Sequence, residues 1–323
     1  MDNDDEIDSV AQRFEFPALL PWQTEPLGAW LAQRVSWHHA TLLHGQAGFG
    51  SRRLALHLAQ GLLCVTAGAV GACGHCDACR LFAAGTHPDF RLVEREFDEK
   101  SLRSADPRKR EAIVVEQVRA LIGNFVYLTS HLGAAKVVVI CLAEEMNAAA
   151  ANALLKSLEE PPPGTFFILV SHQPKRLAPT VISRCRQLSS PRPSAADAGK
   201  WLRAQGATDP AALLAQAGGA PLLALTMLGD DYQAERTRFL QRLIDPRRLS
   251  VIALGAEVET GGRAIRKARM QQWFDLLATW SFDVAACARG LPPRYHTDFA
   301  KPLALLAATV APRRILRYHR ALL

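Results

Sequence analysis

Residues 40–44 (Ala-Thr-Leu-Leu-His) are a short apolar run that opens into a glycine-rich stretch, and residues 51–63 carry apolar side chains at Leu54, Leu56, Leu58, Ala59 and Leu62. The first pattern predicts a buried strand and the second a helix, so the glycines lie where a strand turns into a helix. Residues 136–142 (Lys-Val-Val-Val-Ile-Cys-Leu) are apolar and mostly β-branched, which predicts a strand covered on both faces, as in a parallel sheet. Residues 166–171 give a second strand of that kind. An amphipathic helix is predicted at 115–125, and a strong one at 148–160 that stops at Pro161-Pro162-Pro163. The charged segment 94–111, interrupted by Pro107, reads as a solvent loop. Alternating strands and helices predict an α/β domain with a parallel sheet.

After Pro191-Arg192-Pro193 no strand pattern remains. Helices follow, punctuated by Gly218-Gly219-Ala220-Pro221, Gly261-Gly262 and Leu291-Pro292-Pro293. Boundaries are expected near 190 and 230, which divides the chain into 1–190, 191–229 and 230–323.

Composition adds limits. The 323 residues are 49% hydrophobic, enough for two or three domains with their own cores. No apolar run is long and charge-free enough to span a bilayer. The acidic start (Asp2, Asp4, Asp5, Glu6, Asp8) lacks the basic flank and apolar core of a signal peptide, so a cytoplasmic protein without a membrane partner is expected. The net charge of +7 permits a nucleic-acid partner. The late basic residues (Arg263, Arg266, Lys267, Arg269, then Arg313, Arg314, Arg317, Arg320) read as solvated helix faces, with no interleaved aromatics to stack bases.

The glycine stretch reads Gly45-Gln46-Ala47-Gly48-Phe49-Gly50-Ser51-Arg52. Gly45 and Gly50 keep P-loop spacing, but Ser51 stands where the lysine should be and Arg52 where the magnesium-binding hydroxyl should be. A working P-loop ATPase also ends its second strand with Asp, often followed by Glu. Here that strand runs into Cys141-Leu142, and Glu144 and Glu145 arrive later, expected to cap or solvate the next helix. No ATP turnover and no bound nucleotide are expected at Gly45, Gly50, Ser51 and Arg52. The alternative is an active or weakly active ATPase motor in which Arg52 substitutes for the lysine.

Four of the seven cysteines cluster as Cys64, Cys73, Cys76 and Cys79, spaced C-x8-C-x2-C-x2-C. In reducing cytosol this favours a metal over disulfides, and four thiolates close a tetrahedral zinc shell with no place for a catalytic water. A structural zinc module at about 64–79 is the reading. A redox thiol cluster and a zinc-dependent DNA-binding module are the competing ones; only Arg80 is basic in or beside the insert. His75 is a conceivable further ligand. Cys141, Cys185 and Cys287 read as buried thiols.

Four features in one order carry a resemblance: the glycine loop, the four-cysteine insert, Asn152-Ala153-Leu154-Leu155-Lys156-Ser157-Leu158-Glu159-Glu160-Pro161-Pro162, and Thr180-Val181-Ile182-Ser183-Arg184-Cys185. Together they resemble the bacterial replicative clamp-loader subunits of the AAA+ superfamily, and within these the delta-prime subunits of DNA polymerase III. The likeness is dense over about 15–190 and weak beyond. It implies a P-loop NTPase-like α/β domain with a zinc insert, a small helical lid at 191–229 and an all-α collar at 230–323 that carries oligomer contacts. Trp273, Leu276, Leu277 and Trp280 recur there at helical spacing, with packing inside the domain as the other explanation. The resemblance assigns zinc to the four cysteines, the degenerate Walker B place to Cys141 and Leu142, and the end of the sensor 1 strand to Ser171. It makes Arg184 an arginine finger acting in trans. It further implies a subunit that is not an enzyme by itself. Its partners would be motor subunits and a delta-like subunit in a ring, with the sliding clamp and primed DNA reached through the complex.

Overall fold

The computed structural model describes residues 16–68, 71–94, 112–132, 135–245, 249–260 and 262–322. Helix α1 (Thr24–Leu31) precedes β1 (Ala40–His44), the glycine loop and α2 (Ser51–Leu63). Then come α3 (Asp77–Ala83), β2 (Phe90–Val93) and α4 (Val115–Leu121), which widens into a π-turn over Ile122–Val126. The predicted loop at 94–111 falls outside the described residues except for Glu94 and so does the acidic start. The sheet is completed by β3 (Lys136–Ile140), α5 (Ala148–Glu159), β4 (Thr165–Ser171), α6 (Pro179–Ile182) and β5 (Arg186–Ser189).

All five strands run parallel in the order β2-β3-β4-β1-β5. Side chains alternate faces along a strand, so a run buried on both faces feeds two cores at once. Leu42, Val138, Ile140, Phe167 and Leu169 join one core with α4 and α5. Leu43, Val137, Val139, Ile168 and Val170 join the other with α2. A slip of one residue would exchange the two sets, so the packing fixes the register.

The structure differs from the sequence expectation at three places in this region. The strand predicted over 136–142 ends at Ile140, because Leu142 turns the chain with a left-handed backbone (φ 54°). Glu144 does not cap the next helix. Asn147 does, its Oδ1 accepting the Ala150 N–H at 2.8 Å. Strands β2 and β5 were not predicted, for they lie at the sheet edges, are four residues long and carry exposed polar positions.

The chain divides into two compact units at Arg192/Pro193. The second contains α7 (Ala195–Ala204), α8 (Pro210–Gln216), α9 (Pro221–Thr226), α10 (Asp230–Ile244), α11 (Val251–Glu259), α12 (Arg263–Cys287), α13 (Ala300–Thr309) and α14 (Pro312–Leu322). It holds two apolar clusters, one in α7–α9 around Leu202 and Ala224, the other in α10–α14 around Leu240 and Leu303. Trp273, Leu276 and Trp280 are buried in the latter and Leu277 packs against it, so internal packing accounts for their spacing. Cys287, expected to be buried, is only half-buried.

A polar network ties α10 to α12 and the turn before α13. The buried Arg236 donates from Nη1 and Nη2 to the two Asp298 oxygens at 2.8 and 2.9 Å, and from Nη2 to His296 Nδ1 at 3.0 Å. His296 therefore carries its proton on Nε2, which faces Thr279 Oγ1 at 3.0 Å. Asp283 on α12 accepts the backbone N–H groups of Arg294, Tyr295 and His296, anchoring the same turn. Among the described residues, no helix is long and apolar enough to cross a membrane.

Candidate functional site

In an open parallel sheet the natural ligand crevice lies beyond the carboxyl ends of the strands. Here each strand delivers a residue to that edge: Glu94 after β2, Cys141 after β3, Ser171 and His172 at the end of β4, the glycine loop after β1, and Ser190 after β5. The loop has the backbone its glycines allow, with Gly48 at φ 83° and Gly50 at φ 89°. Its surroundings are filled by the chain itself. A Cβ on Gly45 would stand 2.7 Å from Ser190 Cβ, and one on Gly50 would stand 2.4 Å from Leu20 Cδ1. The buried Gln23 donates from Nε2 to the carbonyls of Phe49 (3.3 Å) and Gly50 (2.8 Å).

Ser51 and Arg52 are engaged as well. Ser51 Oγ accepts a hydrogen bond from Ser190 Oγ at 2.8 Å, in a buried setting. Arg52 forms a two-bonded pair with Glu94, Nε to Oε1 at 2.5 Å and Nη2 to Oε2 at 3.1 Å. The Cys141 thiol lies beside this pair; burial, and then the Glu94 charge, push its pKa well up, so it stays a neutral thiol. Arg52 thus meets its counter-charge in Glu94, next to the Cys141 thiol.

Glu144 does something the sequence did not disclose. It is buried, and its Oε1 accepts the N–H groups of His172 (2.9 Å) and Gln173 (3.2 Å), just past the end of β4. His172 in turn donates from Nδ1 to the Gly45 carbonyl at 3.0 Å. The turn after β3, the end of β4 and the glycine loop are thus joined by a chain of hydrogen bonds. Glu94, Gln23 and Ser190 were also missed: Glu94 sits at the head of a charged run, and nothing in the local pattern marks the other two.

The four clustered cysteines meet in space. Their sulfur atoms all lie within 4.8 Å of one another, with Cys64–Cys76 and Cys73–Cys79 each at 3.9 Å. Four thiolates at an ordinary zinc–sulfur distance around a tetrahedral ion stand about 3.8 Å apart, so the donor set and its spacing fit such an ion. Backbone N–H groups of Cys73 and Cys76 point at Cys64 Sγ and Cys73 Sγ, both at 3.3 Å, the contacts expected to steady thiolate charge. Hydrogen bonds from Thr66 and then from the backbone of His75 and Cys76 draw the Cys73 thiol down to about 5, whereas burial pushes Cys79 up. His75 is exposed and its Nδ1 bonds the Cys73 carbonyl, so it stays out of the cluster. The module is docked by Phe82, which is fully buried and meets Phe90 in a tilted ring contact, 4.5 Å between centroids.

Arg184 follows α6 at the surface of the same unit. Its guanidinium donates from Nε to Glu159 Oε1 at 2.6 Å, from Nη2 to that same oxygen, and from Nη1 to the Thr180 carbonyl at 2.7 Å and Ser183 Oγ at 3.3 Å. The side chain is 30% exposed and that of Glu159 48%. It points to no other polar partner among the described residues. It is separate from both the loop and the thiols.

Comparison with known proteins gives a consistent picture. The family model described as DNA polymerase III, delta subunit matches residues 30–193. DNA polymerase III subunit delta' of Pseudomonas aeruginosa is 46% identical over 227 residues, covering 69% of this chain and 65% of that protein. The subunit of the same name from Escherichia coli K12 is 37% identical over 206 residues, covering 62% and 58%. DNA polymerase III subunit tau of Salmonella typhimurium is 37% identical over 150 residues, covering 46% of this chain and 21% of that protein. The match spans less than two thirds of the length of these relatives.

Proposed function

The chain belongs to the DNA polymerase III delta subunit family, and from that premise we propose that it is a non-catalytic clamp-loader subunit of the AAA+ type. In this reading it sits in a ring with tau-like motor subunits and a delta-like subunit, and takes part in ATP-dependent loading of a sliding clamp onto primed DNA. The observation that carries the non-catalytic part is the Arg52–Glu94 pair beside a neutral Cys141. A hydrolytic P-loop needs a lysine on the phosphates and hard oxygen ligands for Mg²⁺. This site offers a serine already bonded to Ser190, a guanidinium already bonded to a carboxylate, and a thiol.

In the same reading Arg184 acts on another chain's ATP. A guanidinium brought to the transferring phosphoryl group stabilises the charge that develops there, an effect worth about 10³–10⁵ in rate in GTPase systems. Cys64, Cys73, Cys76 and Cys79 would hold a structural zinc, whose contribution is to close the insert rather than to do chemistry. Residues 191–229 and 230–323 would serve as lid and collar; their separate apolar clusters support that division.

The test is a complex reconstituted with motor subunits. The purified chain alone should show no steady ATP turnover that depends on Gly50 or Arg52. Arg184→Ala in the complex should slow DNA-stimulated ATP hydrolysis and clamp loading, with assembly and zinc content unchanged. Arg184→Lys should rescue poorly, since an ammonium lacks the planar fork that bridges two oxygens. Wild-type rates with Arg184→Ala would remove the trans role.

A further inference from the structure

The guanidinium of Arg184 is almost fully occupied before any partner arrives. It has five N–H donors, and four are used: Nε and one on Nη2 by Glu159 Oε1, and both on Nη1 by the Thr180 carbonyl and Ser183 Oγ. One N–H on Nη2 remains. Bridging a phosphoryl group takes two parallel N–H bonds from one edge of the fork. Neither edge can present two while all four present bonds are kept.

The two sets of bonds differ in where they come from. Thr180 and Ser183 belong to the same short segment as Arg184 and travel with it, so Nη1 is tied locally. Glu159 is the last residue of α5, 25 positions away in the chain, and holds the opposite edge, Nε and Nη2. That edge is the one a phosphoryl group would need, and Glu159 places a carboxylate where the incoming group would bring more negative charge. Both side chains are partly exposed, so the pair is weak enough to exchange partners.

We propose that Glu159 is a positioning residue that restrains Arg184, and that the arginine reaches a neighbour's phosphoryl group by exchanging Glu159 for it while Nη1 stays tied to Thr180 and Ser183. This rests on the reading of Arg184 as a residue acting in trans. It assigns Glu159 a role of its own: it holds the finger in the uncommitted chain and sets the threshold for release. An exposed ion pair of this kind shifts an equilibrium by about two- to fivefold. Glu159→Gln keeps the shape of the side chain and removes its charge.

Two measurements test this. In the isolated full-length chain, the Arg184 Nε–H should exchange with solvent about two- to fivefold faster in Glu159→Gln than in wild type, with thermal stability unchanged. In the reconstituted complex with ATP and Mg²⁺ but without DNA, Glu159→Gln should raise turnover by a similar factor, and Glu159→Gln with Arg184→Ala should match Arg184→Ala alone. Unchanged Nε–H exchange, or unchanged or lower turnover in Glu159→Gln while Arg184→Ala is still defective, would overturn the restraint and leave the finger reading standing. A gain that survives Arg184→Ala would overturn it too, since Glu159 would then act by another route. Normal rates with Arg184→Ala would remove the finger reading, and the restraint with it.

Discussion

The Arg236–Asp298 pair makes a quantitative prediction because its two sides are so differently solvated. The Arg236 side chain is 2% exposed and that of Asp298 44%. Removing one partner of a buried pair costs most when the charge left behind stays buried, about 3–5 kcal/mol. Asp298→Asn does that, stranding a guanidinium whose Nε already lacks a partner. Arg236→Met leaves a carboxylate that water can reach and strands no buried charge, so its cost should be smaller, about 1–3 kcal/mol. The acid side of the stability curve should change as well. Burial first, and then the Arg236 charge, push His296 down to about 3. Between its ordinary value of 6.5 and that point, the unfolded histidine binds a proton that the folded one excludes. Stability therefore falls as pH falls, by at most about 1.4 kcal/mol per pH unit. Burial alone would raise the Asp298 carboxyl, but the hydrogen bonds and charge of Arg236 outweigh it and hold it below the ordinary range. That contribution is present above the unfolded value and is lost as pH falls through the folded one. Arg236→Met removes one cause of both shifts, so its pH slope should be shallower than wild type. The assay is urea unfolding of the full chain at several pH values, with hydrogen exchange followed in α10–α14. If Arg236→Met cost more than Asp298→Asn, or steepened the slope, the argument from unequal solvation would be wrong.

Further outcomes can be measured directly. Freshly purified, reduced protein should contain one zinc per chain; chelation should raise hydrogen exchange over residues 64–83 before the central strands respond, and Cys76→Ala with Cys79→Ala should abolish occupancy. Gly50→Ala should cost about 2 kcal/mol or more in thermal unfolding, because it forces an alanine into a left-handed conformation and drives Cβ to 2.4 Å from Leu20 Cδ1. A cost near zero would mean that the loop relaxes freely.

The central strands were legible because burial on both faces leaves a continuous apolar run, as in Val137-Val138-Val139-Ile140, and few other structures do. The thiol cluster was legible because its ligands are close in sequence. Strand β5 was not, since Arg186-Gln187-Leu188-Ser189 has an edge strand's polarity and is held by pairing with β1. Glu94 and Glu144 were opaque for a related reason. Their partners Arg52 and His172 are brought near by the sheet order, and a one-dimensional pattern carries no record of that. The tryptophans of α12 show the reverse ambiguity, where a helical stripe is the same string whether it faces a core or another chain.

The pairing of Arg52 with Glu94 has a consequence for how the glycine loop responds to its surroundings. A bound ion or nucleotide comes and goes with its concentration, so the stability it lends follows a saturation curve. A counter-charge attached to the chain is always present and has no saturation curve. The part of this loop's order that comes from the Arg52–Glu94 pair therefore does not depend on the concentration of any ligand.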